Sequence, residues 1–315
     1  IAINTSVETI DTLIFVFSNN KRLSAEINHC LSCSSGTVVP LSNGIIQGSF
    51  SVKLIYKSFY VTLFAVIFLG GPAIAQELDI KEMGPGFHRM EVTHPDGTLQ
   101  RYVINIPEGY DGETAVPMIL GLHYGFGGMR GDNRPEPYWT EGFFKKIYEQ
   151  AFKPLGAIFL AADSVSGNWQ TPENEEALLR LWDSVNATYN IDERKTIVTG
   201  YSMGAFGTWH WASKYQDRFA GAFPIAGMPA DMNTYRESGK MLDMDWKIPL
   251  YIMHSHVDGL IDIEPTVEYV KKLKEDGKDV TFHELFVVTH HQENLLPESV
   301  GRAVPWIKRV WENIK

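Results

Sequence analysis

The chain has 315 residues, 44% of them hydrophobic, and a formal net charge of −10 at pH 7 from 28 basic and 38 acidic residues. This length and composition are those of a globular protein with one large domain or two small ones. The negative charge argues against nucleic acid as a partner, because phosphate binding requires a basic surface.

The N-terminal part of the chain contains a pattern typical of a secretory signal. Lys53 and Lys57 precede an apolar run, "FYVTLFAVIFL", and the A-x-A cleavage pattern Ala73-Ile74-Ala75 follows it. The run is shorter than the ~20 apolar residues that a membrane span needs, which favours a signal over a transmembrane anchor. We therefore expect 52–75 to be a signal peptide cleaved after Ala75. The protein would then be secreted or periplasmic, with no stable membrane anchor.

The 51 residues before this segment are unusual, because a signal peptide normally begins near the N-terminus. We interpret residues 1–51 as a non-native or disordered leader that does not pack. Both cysteines, Cys30 and Cys33, lie there, and no second pair accompanies them to indicate a redox or metal site. Residues 76–315 are expected to form one domain.

Strand patterns begin soon after Gln76. The segments "FHRMEVTH" and "LQRYVINIP" flank Pro95-Asp96-Gly97 and predict an antiparallel hairpin. Short apolar runs follow, which are typical of parallel strands buried on both faces: "PMILGLH", "AIFLAA", "KTIVTG", "GAFPIAG" and "PLYIMHS". A last strand is predicted at "TFHELFVV".

Helical patterns separate these runs. "NEEALLRLWDSVNATY" places Leu178, Leu181 and Trp182 on one face, and "EPTVEYVKKLKEDG" ends at Gly277, a predicted C-cap. In "VGRAVPWIKRVWENI", Pro305 is expected to kink or start the helix. Alternating strands and helices predict an α/β fold, with a mostly parallel sheet, helices on both faces and an antiparallel N-terminal hairpin.

The segment "VTGYSMGAFGTW", residues 198–209, places Ser202 between a strand and a helix. A turn this tight strains the serine backbone, and Gly200 and Gly204 are small enough to avoid collision, as in the G-x-S-x-G nucleophile elbow. Gly207 would let the helix pack closely against the sheet. The alternative is a serine in an ordinary turn between a strand and a helix.

A serine nucleophile needs an acid and a base, which follow it in the order Asp or Glu, then His, in this architecture. Asp258 is the first acidic residue after "PLYIMHS", and Asp262 and Glu264 are alternatives. Asp262 is better suited to the turn or to capping the next helix. Asp258 is therefore the predicted acid.

The base is expected after the last strand, where His290 and His291 are adjacent. Only one of them can face the serine, and spacing does not decide between them. His283 lies within the predicted strand and is interpreted as structural. A neutral imidazole suits the transfer of the serine proton near pH 7.

The oxyanion hole requires backbone N–H donors. One is expected from Met203, directly after the serine, and the other from Tyr124 or Gly125 in "LGLHYGFGGMRGDN". This glycine-rich loop lacks both G-K-S/T and G-x-G-x-x-G, which argues against nucleotide binding, and no cofactor is predicted.

Together these segments resemble the secreted esterase and predicted-peptidase branch of the α/β-hydrolases, which includes feruloyl-esterase-like and polyhydroxybutyrate-depolymerase-like enzymes. The segments that carry the resemblance are "YNIDERKTIVTGYSMGAFGTW", "YQDRFAGAFPIAG", "LHYG", "MHSHVDGLIDIEPT" and "THHQ" before "RAVPWIKRVW". The resemblance implies a catalytic triad of Ser202, Asp258 and His290. His290 is favoured over His291 because the family usually has Thr-His at this position. His-Ser-His, Ala205 and Tyr124 depart from residues common in the family.

Other functions remain open from the sequence. His254, His256, Asp258 and the His290–His291 pair could form a metal site, but a triad already accounts for the aspartate and one histidine. A serine peptidase or an acyltransferase would use the same residues, and a non-catalytic binding protein would normally lack one of them. The expected substrate is a small-molecule or polysaccharide-linked ester. Aromatic residues that could line its pocket, or belong to the core, are Trp169, Trp209, Trp211 and Tyr124.

Overall fold

The computed structural model describes residues 77–125, 139–232 and 239–314. The predicted leader, the predicted signal peptide with its cleavage site, the two cysteines and residues 126–133 of the glycine-rich segment lie outside these ranges. Within them, eight strands form one sheet in the order β1-β2-β4-β3-β5-β6-β7-β8. The strands are β1 (Gly86–Thr93), β2 (Leu99–Ile106), β3 (Val116–Leu122), β4 (Ile158–Ala162), β5 (Ile191–Tyr201), β6 (Gly221–Ile225), β7 (Leu250–Ser255) and β8 (Val280–Leu285).

The sheet is antiparallel only at its N-terminal edge. β1 pairs with β2 in a hairpin that matches Thr93 with Leu99, and β2 runs antiparallel to β4. All pairs from β4 to β8 are parallel. The predicted hairpin and the mostly parallel sheet are confirmed.

The helices follow the strands in alternation. They are α1 (Trp139–Phe143), α2 (Glu149–Phe152), α3 (Pro172–Thr188), α4 (Met203–Lys214), α5 (Glu264–Glu275), α6 (Pro297–Gly301) and α7 (Val304–Glu312). A π-helical turn, Phe144–Tyr148, joins α1 to α2. α3 starts after Thr171, whose side chain accepts a hydrogen bond from the backbone N–H of Asn174.

Two apolar cores lie on opposite faces of the sheet, because successive residues of a strand point to opposite sides. On β3, Leu120 belongs to one core, with Leu178 of α3 and Trp209 of α4. Its neighbour Ile119 belongs to the other core, which includes Phe143 of α1 and Ile307 of α7. Helices therefore cover both faces, as the sequence predicts.

The structure corrects several element boundaries. β5 begins at Ile191, within a polar stretch that the apolar pattern did not include, and β8 ends at Leu285, before the apolar residues 286–288. Pro305 lies in the first turn of α7 and starts that helix, after α6 has ended. The helical turns from Trp139 to Phe152 are not among the elements that the sequence pattern predicts.

Candidate active site

The junction of β5 and α4 holds Ser202 in a strained backbone conformation. β5 ends at Tyr201, α4 begins at Met203, and Ser202 between them has φ +58° and ψ −117°. A side chain raises the energy of a positive φ, so the surrounding structure must hold this residue in place. The strain that the glycine spacing predicts is present.

The two flanking glycines cannot carry a β-carbon without a collision. A Cβ on Gly200 would lie 2.3 Å from the backbone oxygen of Gly204, and one on Gly204 would lie 1.9 Å from that of Leu122. Further along the helix, a Cβ on Gly207 would lie 2.6 Å from that of Trp169. α4 thus starts in direct contact with the carboxyl end of β3, which brings its N-terminus to the edge of the sheet.

Ser202, His290 and Asp258 form a continuous hydrogen-bonded chain. The Ser202 hydroxyl lies 2.8 Å from Nε2 of His290, and Nδ1 of the same ring lies 2.7 Å from Oδ2 of Asp258. With a neutral imidazole, Nδ1–H donates to the carboxylate and Nε2 accepts the serine hydroxyl proton. The geometry therefore prepares this serine to lose its proton to this histidine.

Asp258 is buried and held by donors on both carboxylate oxygens. Its side chain is 1% exposed, and Oδ1 accepts backbone N–H groups of Leu260 and Ile261, each at 2.9 Å. Burial opposes ionisation of this carboxyl. The hydrogen bonds from His254, His290 and the two backbone groups outweigh it and hold the pKa of Asp258 well below its ordinary value. The carboxylate therefore stays ionised at neutral pH.

The alternative acid and base lie elsewhere. The carboxylate of Asp262 accepts a hydrogen bond from the backbone N–H of Glu264 at 3.0 Å, in a turn directly before α5. Asp262 thus serves the turn, and the N-cap of α5 is Ile263. His291 is exposed, and its ring meets that of His290 edge-on, with ring centroids 5.5 Å apart. His283 on β8 contacts the hydroxyl of Tyr251 at 3.0 Å, consistent with a structural residue.

The backbone of Gly125 lies beside that of Met203. A Cβ built on Gly125 would be 3.7 Å from that of Met203. Met203 is the first residue of α4, and the N–H groups in the first turn of a helix have no carbonyl partner within the helix. The two predicted oxyanion donors are thus neighbours, next to the strained serine.

His123, the residue after β3, orients this turn. Its Nε2 accepts the backbone N–H of Ser164 at 3.0 Å, so Nδ1 carries the proton and donates to the carbonyl of Tyr124 at 2.7 Å. In a trans peptide the C=O and the following N–H point in opposite directions. Fixing the Tyr124 carbonyl therefore fixes the direction of the Gly125 N–H.

His254 is a second buried histidine, and the sequence analysis did not predict that it contacts Asp258. It lies at the end of β7, with Nε2 3.1 Å from the carbonyl of Ile261 and 3.5 Å from Oδ2 of Asp258. Its Nδ1 faces the hydroxyl of Thr266 at 3.4 Å. His254 thus supports the loop that carries Asp258. A histidine four positions before the predicted acid, at the end of a buried strand, is the signal that could have identified it.

The candidate aromatic residues fall into two groups. Trp169, Trp209 and Trp211 are fully buried and belong to the core. Tyr124 is only partly buried, and its ring meets that of Tyr201 edge-on with centroids 5.9 Å apart. Among these residues, Tyr124 remains a candidate for the pocket wall.

A metal site is not apparent where the histidines cluster. Within residues 77–125, 139–232 and 239–314, no group of three or more histidine, cysteine, aspartate or glutamate side chains is placed to hold a metal ion. His256 is instead directed to Glu284, with Nε2 2.7 Å from the carboxylate. Asp258 and His290 are bonded to each other. Across the same part of the chain, no helix has the length and hydropathy needed to cross a bilayer.

The mostly parallel eight-stranded sheet, its antiparallel N-terminal edge and its helices on both faces constitute the α/β-hydrolase fold. A solved structure of a ferulic acid esterase superposes with a TM-score of 0.55 at 14% identity, over 73% of this chain and 100% of that one. The predicted fold is confirmed.

Two known proteins are similar in sequence. One is the probable feruloyl esterase C of Aspergillus terreus, 27% identical over 139 residues, which are 41% of this chain and 46% of that protein. The other is the poly(3-hydroxyalkanoate) depolymerase C of Paucimonas lemoignei, 45% identical over 53 residues, or 17% of this chain and 13% of that protein. Each alignment thus spans less than half of the relative. No family model matches the chain. The resemblance inferred from the motifs is confirmed by homologues with these names.

Proposed function

We propose that the protein is a serine-dependent carboxylic ester hydrolase that works through an acyl-serine intermediate. The observation that carries the proposal is the hydrogen-bonded chain from Ser202 through His290 to Asp258, at a strained turn that presents the serine. A binding protein would have no need to hold a serine in this conformation against an imidazole. The names of the two relatives, an esterase and a polyester depolymerase, favour an ester as the bond that is cleaved.

In the first half of the reaction, Ser202 attacks the ester carbonyl while Nε2 of His290 accepts the hydroxyl proton. The imidazolium that forms is stabilised by the ionised Asp258 across the 2.7 Å contact. It then gives the proton to the departing alkoxide, and the alcohol leaves. The acyl group remains bonded to the serine oxygen.

In the second half, water takes the place of the alcohol. His290 accepts a proton from the water as it attacks the acyl carbonyl, and returns that proton to the serine oxygen as the acid leaves. Each half-reaction passes through a tetrahedral oxyanion. The backbone N–H groups of Met203 and of the Tyr124–Gly125 turn are the proposed donors to it, with the α4 N-terminus adding a favourable dipole.

The proposed substrate is a small-molecule or polysaccharide-linked ester, with short or aromatic acyl groups. A panel of p-nitrophenyl and feruloyl esters, offered to the full chain, tests this. Hydrolysis of several esters by the wild type and its loss in Ser202→Ala are expected. Cleavage of peptide amides but of no ester would replace the esterase with a peptidase. Formation of a new ester when an alcohol acceptor is added would indicate an acyltransferase.

We further propose that residues 76–315 form the catalytic domain and that the cell exports it after removing 52–75. The support is the basic, apolar and small-residue pattern that ends at Ala75. N-terminal sequencing of the protein recovered outside the cytoplasm should begin at Gln76. Recovery of protein that still carries the apolar run would favour a membrane anchor instead.

A further inference from the structure

Tyr201, the residue directly before Ser202, makes two contacts with the same residue, His290. Its ring stacks on the imidazole, with centroids 5.3 Å apart and an interplanar angle of 24°. Its hydroxyl donates a hydrogen bond to the backbone carbonyl of His290. The side chain is almost fully buried, and burial raises the pKa of the phenol, so the hydroxyl keeps its proton and remains a donor.

These contacts compensate for the irregular backbone around His290. His290 lies in a turn beyond β8, which ends at Leu285, so no strand pairing holds it. The turn has its own hydrogen bond, from the N–H of Gln292 to the carbonyl of Thr289 at 3.1 Å, but this bond does not orient the ring. Tyr201 restrains both the backbone and the ring of His290 from a rigid strand.

The position of Tyr201 in the chain has a further consequence. Tyr201 and Ser202 are consecutive, so the nucleophile and the group that restrains the base move together with the end of β5. A displacement of the loop after β8 would otherwise change the 2.8 Å distance between the serine oxygen and Nε2. Small changes of this distance matter, since misplacement by about 1 Å can cost 10²-fold in rate.

Stacking also bears on the charged form of the imidazole. The face of a tyrosine ring attracts a cation, so it favours the imidazolium that forms when the serine gives up its proton. The other groups around this imidazole are the carboxylate of Asp258 on Nδ1, with His254 behind that carboxylate, and the exposed ring of His291. Glu293 acts on Tyr201 from a distance and is paired with Lys146 at 3.2 Å.

We propose that Tyr201 is a positioning residue for His290, which holds the base at hydrogen-bonding distance from Ser202 and stabilises its protonated form. This inference rests on the proposed function. It assigns a role to the residue between the glycine and the serine of the elbow, beyond filling space in the core.

The test compares Tyr201→Phe and Tyr201→Leu with matched changes at Tyr251. Tyr251 is a buried tyrosine on β7 whose hydroxyl also contacts a histidine, His283, which has no part in the proposed mechanism. Tyr201→Phe keeps the aromatic ring and loses the hydrogen bond to the backbone carbonyl of His290. We expect kcat to fall about 2- to 12-fold, the value of one net hydrogen bond, with KM unchanged.

Tyr201→Leu removes the ring as well, and kcat should fall a further 2- to 30-fold, the range of a cation–π contact. KM should again stay unchanged, and both Tyr251 variants should keep the wild-type kcat, because His283 takes no part in the proposed reaction.

Thermal unfolding of all four variants separates positioning from packing. If the Tyr201 and Tyr251 variants lose activity only in proportion to their loss of stability, the proposal is overturned. Should Tyr201→Leu not fold, Tyr201→Phe decides: a fall in kcat at wild-type stability supports positioning, and wild-type kcat overturns it. Failure of the proposed function would look different, since the wild type itself would hydrolyse no ester.

Discussion

Gly204→Ala should destabilise the protein strongly, although the same change inside a helix normally stabilises it. Gly204 is the second residue of α4, where alanine would ordinarily be favoured over glycine by about 0.5–1 kcal/mol. Here the new methyl group would lie 1.9 Å from the carbonyl oxygen of Leu122, 2.7 Å from its carbon and 2.9 Å from the carbonyl oxygen of His123. All three atoms are backbone and cannot rotate away.

The size of the effect follows from that distance. Ordinary van der Waals contact begins near 3.4 Å, so α4 and β3 would have to separate by more than an ångström at this point. Overpacking by a single group costs 1–3 kcal/mol, and this contact belongs at the top of that range, so we expect about 3 kcal/mol. The midpoint of thermal unfolding should then fall by roughly 6–12 °C in a domain of this size.

Circular dichroism melts of three proteins measure this: the wild type, Gly204→Ala and Gly142→Ala. Gly142 is also helical, in α1, and a Cβ there would meet no atom within 4 Å. The control should therefore melt at or slightly above the wild-type temperature. A melting point for Gly204→Ala within about 2 °C of the wild type would refute the steric account of the elbow.

Three further predictions concern the strained serine and its partners. In denaturant titrations, the free energy of unfolding of Ser202→Gly should be about 1 kcal/mol higher than that of Ser202→Ala, because glycine adopts φ +58° without strain. Equal stability of the two variants would show that no strain is stored. Activity should be lost in His290→Ala and fall about 10⁴-fold in Asp258→Asn, with His291→Ala and Asp262→Asn near wild type; a dead His291→Ala would shift the base by one residue. Because the pKa of Asp258 is lowered in the folded state, its stabilisation is present above the ordinary pKa of about 3.9 and is lost as pH falls below it. Asp258→Asn should therefore lose less stability than the wild type between pH 5 and 2 in denaturant titrations, and parallel curves would contradict the assignment.

The sequence predicted the central strands because they are apolar on both faces. β3, β6 and β7 are short runs between polar segments, and no other element fits them. The predicted strand boundaries were wrong where a strand contains charged residues or where apolar residues lie outside a strand. β5 extends back through charged residues to Ile191, and the apolar residues Phe286 and Val287 lie outside β8, where their exposed fractions are 64% and 80%.

The helical segment from Trp139 to Phe152 was missed for a different reason. A π-helical turn interrupts its periodicity, and one apolar stripe with a period of 3.6 residues cannot describe it. Its contacts include a strand that is distant in the chain, because Phe144 stacks on Phe87 of β1 with ring centroids 5.6 Å apart. Such a helix is stabilised by tertiary packing that local sequence does not contain.

In the candidate site, the residues with distinctive spacing could be named from the sequence. The glycines around Ser202 and the order of acid and base leave few choices for the proposed triad. Two supporting residues could not be named in this way. Tyr201 contacts His290, 89 positions away, and His123 contacts Ser164, 41 positions away, and only the assembled sheet edge brings these partners together. His254 is different, because it lies four positions before Asp258 and its place in the sequence could have identified it.

The central claim is that Ser202 is a covalent nucleophile, and a fluorophosphonate probe tests it most directly. The probe should add once to the wild-type protein, and mass spectrometry of the digest should place the adduct on the peptide that contains Ser202. Ser202→Ala should fold normally and take up no probe, and His290→Ala should react far more slowly, because the hydroxyl has lost its base. Equal labelling of Ser202→Ala, or wild-type ester hydrolysis by that variant, would contradict the account.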